Sequence, residues 1–185
     1  MSLENKTVIV TGASTGIGRE TSIELGKIGM NVVIGNRNEK LGNEVVDIIK
    51  SSGGNAKFLK TDVSIEKDVK NLTQFALDEF GEFNYAFNNS GLLGDVEPIS
   101  DQCPKDAGYI VDVNIKGVIY CLHHQIKEML KYATKNSPCS IVNNSSILSH
   151  AAYPGLTVYS STKHAVTGLT TVSYTHLTLP TSSQV

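Results

Sequence analysis

Short apolar segments alternate with amphipathic segments along most of this chain, and that alternation restricts the folds open to it. The apolar segments, several of them dominated by Val and Ile, are the predicted strands. They cover residues 7–10, 31–34, 57–60, 85–87 and 140–143. Short strands separated by amphipathic helices predict a parallel sheet that is covered by helices on both faces.

Right-handed crossovers between parallel strands narrow the choice of topology further. The predicted fold class is α/β, a doubly wound parallel sheet of the Rossmann type with strand order 3-2-1-4-5. The chain direction switches between strands 1 and 4, and a crevice is expected there at the carboxyl ends of the strands. Ligands of open α/β sheets bind in such a crevice.

Three helix predictions bear on the packing. The first helix is expected to end near Gly29, a long helix to cover residues 105–133, and a last helix to start near Thr157. The apolar face of the first helix is predicted to carry Ile17, Thr21, Leu25 and Ile28.

The composition changes after Lys163, beyond which the sequence has no Asp, Glu, Lys or Arg. A solvated helix face normally carries charge. We therefore interpret residues 1–172 as a single domain and residues 173–185 as a non-native or disordered tail, such as translated cloning DNA would give. The alternative is a genuine, flexible C-terminus.

Composition and charge exclude several classes of function. The net charge of −2 predicts no binding to nucleic acid or to a membrane surface. The sequence contains no run of about 18 apolar residues, so we expect no membrane span, and we also expect no secretory signal. Cys103, Cys121 and Cys139 form no CxxC pair, which favours reduced thiols and a cytoplasmic location. The five histidines form no ligand cluster, so no metal site is predicted.

A glycine-rich loop, TGASTGIG at residues 11–18, joins the first predicted strand to its helix. The N-terminus of a helix offers unpaired N–H groups and a positive dipole end, which suit a pyrophosphate. Glycine also lets a phosphate approach the backbone closely. The alternative is a turn that merely connects two elements. The predicted cofactor-binding residues of this loop are Gly12, Ser14, Thr15, Gly16, Ile17 and Gly18.

Asn36 and Arg37 follow the second predicted strand, where an acidic residue would bind the ribose hydroxyls of NAD. No acid stands there, and Arg37 is placed to pair with a 2′-phosphate. The predicted cofactor is therefore NADP, with NAD as the alternative. A solvated surface Arg without a special role is the other interpretation of Arg37.

Tyr159 and Lys163 are four residues apart, so they share one face of the last predicted helix. A phenol has a pKa of about 10, and a nearby ammonium favours its phenolate form, so the pair is a candidate acid/base. Ser146 lies 13 residues before Tyr159 and could hydrogen-bond a carbonyl oxygen. Asn114 could hold a water beside Lys163. The alternatives are a Tyr packed on a Lys stem, a turn-capping Ser and a buried Asn.

Taken in order, these motifs resemble the classical short-chain dehydrogenase/reductase family over about residues 5–172. The motifs are TGASTGIG, Asp62-Val63, NNSG at residues 88–91, Asn114, Ser146 and YSSTK at residues 159–163. Two departures are Ser90, where the family usually has Ala, and a predicted insertion at residues 132–137.

The resemblance implies a role for each matching residue. Gly12, Gly16 and Gly18 would shape the pyrophosphate loop, and Tyr159 would exchange a proton with the substrate oxygen. Lys163 would assist Tyr159 and hold the nicotinamide ribose. Ser146 would orient the carbonyl, and Asn114 would support a proton relay. Asp62 and Val63 would contact the adenine, and Asn89, Ser90 and Gly91 would line the cofactor cleft.

The resemblance implies an NAD(P)-dependent oxidoreductase that transfers hydride between its cofactor and a carbonyl or secondary alcohol. It also implies further strands and a substrate-covering segment that this sequence lacks, so we expect a C-terminally truncated member whose full-length parent is a homodimer or homotetramer. One alternative is a truncated dinucleotide-binding fragment without activity. Another is a methyltransferase that uses S-adenosylmethionine, which would not need the Tyr159–Lys163 pair.

Overall fold

The computed structural model describes residues 3–134 and 137–177. Residues 135–136 of the predicted insertion and residues 178–185 of the predicted tail lie outside this description. The last helix runs to Leu177, so the backbone of residues 173–177 is helical.

Five parallel strands, numbered along the chain, form one sheet in the order 3-2-1-4-5, with helices on both faces, which confirms the predicted fold. The strands are β1 (Thr7–Thr11), β2 (Asn31–Asn36), β3 (Asn55–Lys60), β4 (Tyr85–Asn88) and β5 (Ser140–Asn143). The helices are α1 (Gly16–Lys27), α2 (Glu39–Ser51), α3 (Glu66–Phe80), α4 (Pro104–Val111), α5 (Gly117–Met129) and α6 (Thr157–Leu177). None of the described helices has the length and apolar character needed to cross a membrane.

The central strand β1 is buried on both faces, which is why its apolar run is continuous. Successive side chains of a strand point to opposite faces. Val8 and Val10 accordingly pack with the cluster that contains α1 and α2, whereas Ile9 packs with the cluster that contains α3. The register pairs Thr11 with Asn88, and Asn88 with Asn143, so these strands end at the same edge of the sheet.

The predicted apolar face of α1 is partly wrong, although Leu25 does pack against the core cluster. Ile17 and Ile28 are 63% and 51% exposed. The helix instead buries Gly18, Ser22, Ile23 and Gly26. A Cβ at Gly26 would lie 2.5 Å from Ile49 Cγ2, so α1 and α2 pack closer than a side chain would allow. Large apolar residues do not mark this face in the sequence, because small residues form most of it.

The predicted long helix at residues 105–133 is interrupted. After α4, residues Asp112–Lys116 form a π turn before α5 begins, and α5 ends at Met129. Such π turns are often found at functional sites. Here the π turn contains Asn114, one of the predicted site residues.

Candidate active site

A cleft of about 740 Å³ opens at the carboxyl edge of the sheet. Many of the predicted cofactor-binding residues line it: Gly12, Ser14, Thr15, Ile17, Arg37, Asp62, Val63, Asn89, Ser90 and Gly91. Five further lining residues were not predicted from the sequence: Asn36, Asn38, Thr61, Leu92 and Val113. The cleft therefore lies where the topological switch between β1 and β4 was expected to place it.

The three glycines of the loop meet three different constraints. Gly12 has φ +66°, and a Cβ there would lie 2.9 Å from Ser90 Cα. Gly18 has no room for a Cβ, which would lie 2.4 Å from the Gly12 carbonyl oxygen. Gly16 has φ +54° and faces open space, with nothing within 4 Å of its Cβ position. Gly12 and Gly18 thus allow close packing, and Gly16 leaves room above the loop.

The N-terminus of α1 is open to an anion. Its N-cap residue, Thr15, makes no side-chain capping hydrogen bond, and the first turn contains no acidic residue. The first N–H groups of a helix without such a cap are left to solvent or to a ligand. Ser14 and Thr15 line the same part of the cleft. This end of the cleft therefore fits the pyrophosphate of a dinucleotide.

Asn89 connects the glycine loop to the sheet by hydrogen bonds. Its Nδ2 donates to the carbonyl oxygens of Thr11 and Gly12 at 3.2 and 3.1 Å, and its backbone N–H donates to Thr11 Oγ1 at 3.1 Å. Asn89 Oδ1 accepts a hydrogen bond from Asn144 Nδ2 at 2.9 Å. The side chain of Asn89 therefore holds other residues in place. Thr11 and Asn144, its partners, were not predicted as site residues.

Only one oxygen of the Asp62 carboxylate accepts hydrogen bonds from the described residues. Asp62 Oδ1 accepts hydrogen bonds from the backbone N–H and the hydroxyl of Ser64, at 3.0 and 2.7 Å. Asp62 Oδ2 has no such partner in the described part of the chain, and Asp62 lines the cleft. The neighbouring Val63 is buried against Val69 and Val113, so the wall beside Asp62 is fixed and apolar.

The end of β2 presents one buried amide and one exposed guanidinium. Asn36 is only 5% exposed, and its Nδ2 donates to the Asn38 carbonyl oxygen at 2.7 Å. Asn36 Oδ1 is a buried acceptor for which the structure gives no hydrogen-bond partner. The Arg37 side chain donates to the hydroxyl of Tyr109, and its guanidinium carbon lies 5.9 Å from the centre of that ring.

Lys163 is buried beside the cleft, with 5% of its surface exposed. Its Nζ donates to the Asn144 carbonyl oxygen at 2.7 Å and lies 5.6 Å from the centre of the Tyr159 ring. A Cβ on Gly91, which lines the cleft, would lie 3.6 Å from this Nζ. None of the ion pairs between described residues involves Lys163, and burial lowers its pKa below 10.5.

The π turn places Asn114 between two elements of the site. Asn114 Oδ1 accepts from the Leu92 N–H at 2.8 Å, and Asn114 Nδ2 donates to the Leu92 carbonyl oxygen at 2.8 Å. Its second amide hydrogen goes to Thr162 Oγ1, at 3.0 Å. Asn114 thereby joins the segment after β4 to α6, next to Lys163. Leu92 and Thr162 were not predicted, and the relay role of Asn114 stays a prediction.

Ser146 caps a short 3₁₀ turn, Ile147–Ser149. Its Oγ accepts a hydrogen bond from the Leu148 N–H at 3.2 Å. This is the turn-capping role that the sequence left open as an alternative. In the described part of the chain the hydroxyl hydrogen of Ser146 has no acceptor, so it can still be donated to a substrate oxygen. The role in orienting the substrate stays a prediction.

Replacing Lys163 by Met is expected to raise the free energy of unfolding at pH 7. The folded chain lowers the pKa of Lys163. Between that lowered pKa and 10.5, the unfolded chain therefore carries more of this proton than the folded chain does. Wild-type stability then rises with pH through that window, and the advantage of the Met variant shrinks. Urea unfolding from pH 7 to pH 10 measures this difference, with the exposed Lys40→Met as control. A loss of stability that does not change with pH would contradict it.

The fold, the glycine loop and the buried Lys beside a Tyr define an α/β protein with a nucleotide-binding cleft. A family model described as short chain dehydrogenase matches residues 6–178. The chain belongs to the short-chain dehydrogenase family, which confirms the resemblance drawn from its motifs. Membership in this family rules out the methyltransferase alternative.

Curated relatives match nearly all of this chain and part of their own length. A cyclohexanol dehydrogenase of Acinetobacter sp. is 34% identical over 90% of this chain and 64% of that protein. A 3beta-hydroxysteroid dehydrogenase of Mediterraneibacter gnavus is 34% identical over 90% of this chain and 59% of that protein. The chain thus spans about three fifths of the length of these relatives.

Solved structures share the fold. A short chain dehydrogenase/reductase from Burkholderia phymatum, in complex with NAD, has a TM-score of 0.90 and 28% identity, and the match covers 96% of this chain and 62% of that chain. A short chain dehydrogenase from Mycobacterium smegmatis has a TM-score of 0.89 and 26% identity, covering 95% of this chain and 72% of that chain.

Proposed function

We propose that this protein is a nicotinamide-dependent oxidoreductase that interconverts a carbonyl compound and a secondary alcohol. One observation carries the proposal: Lys163 is buried without a carboxylate partner in the described residues, between the ring of Tyr159 and the cleft wall at Gly91. A buried ammonium is costly and is typical of functional sites. A protein that only bound a dinucleotide would have no need of a proton-exchanging phenol beside this ammonium.

The proposed roles follow from the hydrogen-bonding capacity of each group. The hydroxyl of Tyr159 gives a proton to the substrate oxygen during reduction and takes it back during oxidation. The Lys163 ammonium, whose Nζ lies 5.6 Å from the centre of the Tyr159 ring, stabilises the negative charge that develops on the phenol oxygen during the transfer. The free hydroxyl hydrogen of Ser146 is donated to the carbonyl oxygen. A bound nicotinamide supplies or accepts the hydride, and the protein contributes position and electrostatics.

The proposed cofactor is NADP, with NAD as the alternative. Arg37 lines the cleft and pairs with no carboxylate in the described chain, so its charge is available to a 2′-phosphate. No acid stands at the end of β2 to repel that phosphate. The alternative is favoured by the orphaned Asn36 Oδ1, which could accept a hydrogen bond from a ribose hydroxyl, and by the NAD complex of the Burkholderia phymatum protein.

The names of the relatives guide the proposed substrate class. They act on cyclohexanol or on a hydroxysteroid, and a diacetyl reductase of Staphylococcus epidermidis is 33% identical over 90% of this chain. The proposed substrates are therefore secondary alcohols and ketones. A cytoplasmic location, assembly as a homodimer or homotetramer, and the division into a domain at residues 1–172 and a tail at residues 173–185 also stay proposals.

The direct test is a titration of the purified chain with NADPH and, separately, with NADH, followed by nicotinamide fluorescence. Saturable binding that is tighter for NADPH is expected, and oxidation of NADPH should then be measured with cyclohexanone and diacetyl. Binding without turnover of any ketone would favour the alternative of a non-catalytic dinucleotide-binding protein. A chain that binds neither cofactor would contradict the proposal.

Arg37→Asp is expected to reverse the cofactor preference. The substitution removes one or two charge-assisted hydrogen bonds to the 2′-phosphate and places a carboxylate near the ribose hydroxyls. The Kd for NADPH should rise by about ten- to a hundredfold, and the Kd for NADH should stay level or fall. Fluorescence titration measures both constants. An unchanged Kd for NADPH would mean that Arg37 does not contact the 2′-phosphate.

A further inference from the structure

Tyr109 holds the Arg37 guanidinium from a different part of the chain. Arg37 follows β2, whereas Tyr109 lies on α4, 72 residues further along the sequence. The Arg37 side chain donates a hydrogen bond to the Tyr109 hydroxyl and lies near the face of the same ring. Because Arg37 lines the cleft, this contact sets where its charge stands at the cleft edge.

Tyr109 is the better anchored member of this pair. Its ring packs against a buried cluster that contains Val63, Val113 and Cys121, and Val63 and Val113 also line the cleft. Arg37 is exposed at the end of β2. A partly buried, packed phenol and an exposed guanidinium therefore meet, and the phenol restricts the positions open to the guanidinium.

This contact leaves the guanidinium able to bind an anion. An Arg side chain has five N–H groups, and a bidentate phosphate contact uses two of them. Tyr109 accepts a single hydrogen bond, and contact with the ring face uses none. A phenol is also neutral, unlike a carboxylate partner, so the positive charge of Arg37 is not cancelled.

We propose that Tyr109 is a specificity-determining residue, which orders Arg37 for a 2′-phosphate and so increases the preference for NADPH over NADH. The inference rests on the proposed function, because it assumes that Arg37 contacts the 2′-phosphate. Ordering the guanidinium before binding reduces the entropy that binding must remove. NADH has no 2′-phosphate, so its affinity does not depend on this contact.

The test is a fluorescence titration of Tyr109→Phe with NADPH and with NADH. The variant keeps the ring and its packing and loses only the hydroxyl that accepts from Arg37. The Kd for NADPH should rise about three- to tenfold, as expected for one hydrogen bond, and the Kd for NADH should change less than about twofold. Tyr85→Phe, at the opposite end of the sheet on β4, is the matched control and should leave both constants unchanged.

A double-mutant cycle with Arg37→Gln separates this inference from the proposed function. Tyr109→Phe should have no further effect on NADPH binding once Arg37 is replaced. If Arg37→Gln weakens NADPH binding but Tyr109→Phe leaves it unchanged or tightens it, the role of Tyr109 is wrong and the proposed function stands. If Arg37→Gln also has no effect, Arg37 does not contact the 2′-phosphate, the role of Tyr109 is wrong, and an oxidoreductase that uses NAD still stands. If the wild-type chain binds neither cofactor, the proposed function fails as well.

Discussion

Replacing Tyr159 by Phe is expected to lower kcat for ketone reduction by at least about a hundredfold, because it removes the proposed proton donor. The Kd for the cofactor should stay nearly unchanged. The Tyr159 hydroxyl makes no hydrogen bond with the described residues, so its loss leaves no buried partner unsatisfied. The side chain is also partly exposed, so the free energy of unfolding should change little. Steady-state kinetics and a fluorescence titration of the same preparation measure the two effects.

The matched control for this prediction is Tyr153→Phe, which removes a phenol hydroxyl from the segment just before α6. Tyr153 is 60% exposed, and no role is proposed for it. It should retain wild-type turnover and cofactor affinity. Full activity in Tyr159→Phe would end the acid/base assignment. A joint loss of turnover and cofactor binding would mean that Tyr159 shapes the cofactor site instead.

The fold could be predicted from the sequence because its signals are local. Each short apolar run became a strand, and the central strand is continuously apolar because helices cover both of its faces. The order of the strands followed from the handedness of crossovers between parallel strands. The cleft then had to lie near the switch between β1 and β4, where the glycine loop stands.

What the sequence did not predict depends on contacts between distant residues. The packed face of α1 is made largely of small residues, so no hydrophobic pattern marks it. The contact of Arg37 with Tyr109 joins positions that no motif connects. Asn36 Nδ2 donates to the Asn38 carbonyl oxygen, and the amide oriented in this way leaves Asn36 Oδ1 without a hydrogen-bond partner. In the sequence, Asn36 mattered only because no acidic residue stands at its position.

The proposed catalytic residues show the same division. The spacing of Tyr159 and Lys163 predicted a shared helix face, and the structure places Lys163 Nζ 5.6 Å from the centre of the Tyr159 ring. The spacing could not indicate that Lys163 donates to the Asn144 carbonyl oxygen. Nor could it indicate that the Asn144 side chain donates to Asn89, which in turn donates to Gly12. One set of hydrogen bonds thus connects the glycine loop to the buried ammonium.

Gly18→Ala is expected to destabilise the protein and to abolish cofactor binding, although Ala favours helices. The new Cβ would lie 2.4 Å from the Gly12 carbonyl oxygen and 2.5 Å from Asn89 Nδ2. These two atoms are hydrogen-bonded to each other at 3.1 Å, so neither can move without breaking the attachment of the loop to β4. Overpacking of this kind costs about 1–3 kcal/mol of the free energy of unfolding. The displaced loop should then no longer bind NADPH.

Urea unfolding and NADPH titration of Gly18→Ala test both parts of this prediction, and Gly168→Ala is the control. Gly168 lies in α6, and nothing stands within 4 Å of its Cβ position. The same substitution there should stabilise the protein by about 0.5–1 kcal/mol through helix propensity and leave NADPH binding intact. A lower free energy of unfolding in Gly18→Ala together with a higher one in Gly168→Ala would show that the contact with Gly12 causes the loss. A stable Gly18→Ala variant with wild-type affinity would show that the loop adjusts, so the requirement for glycine would be weaker than the packing implies.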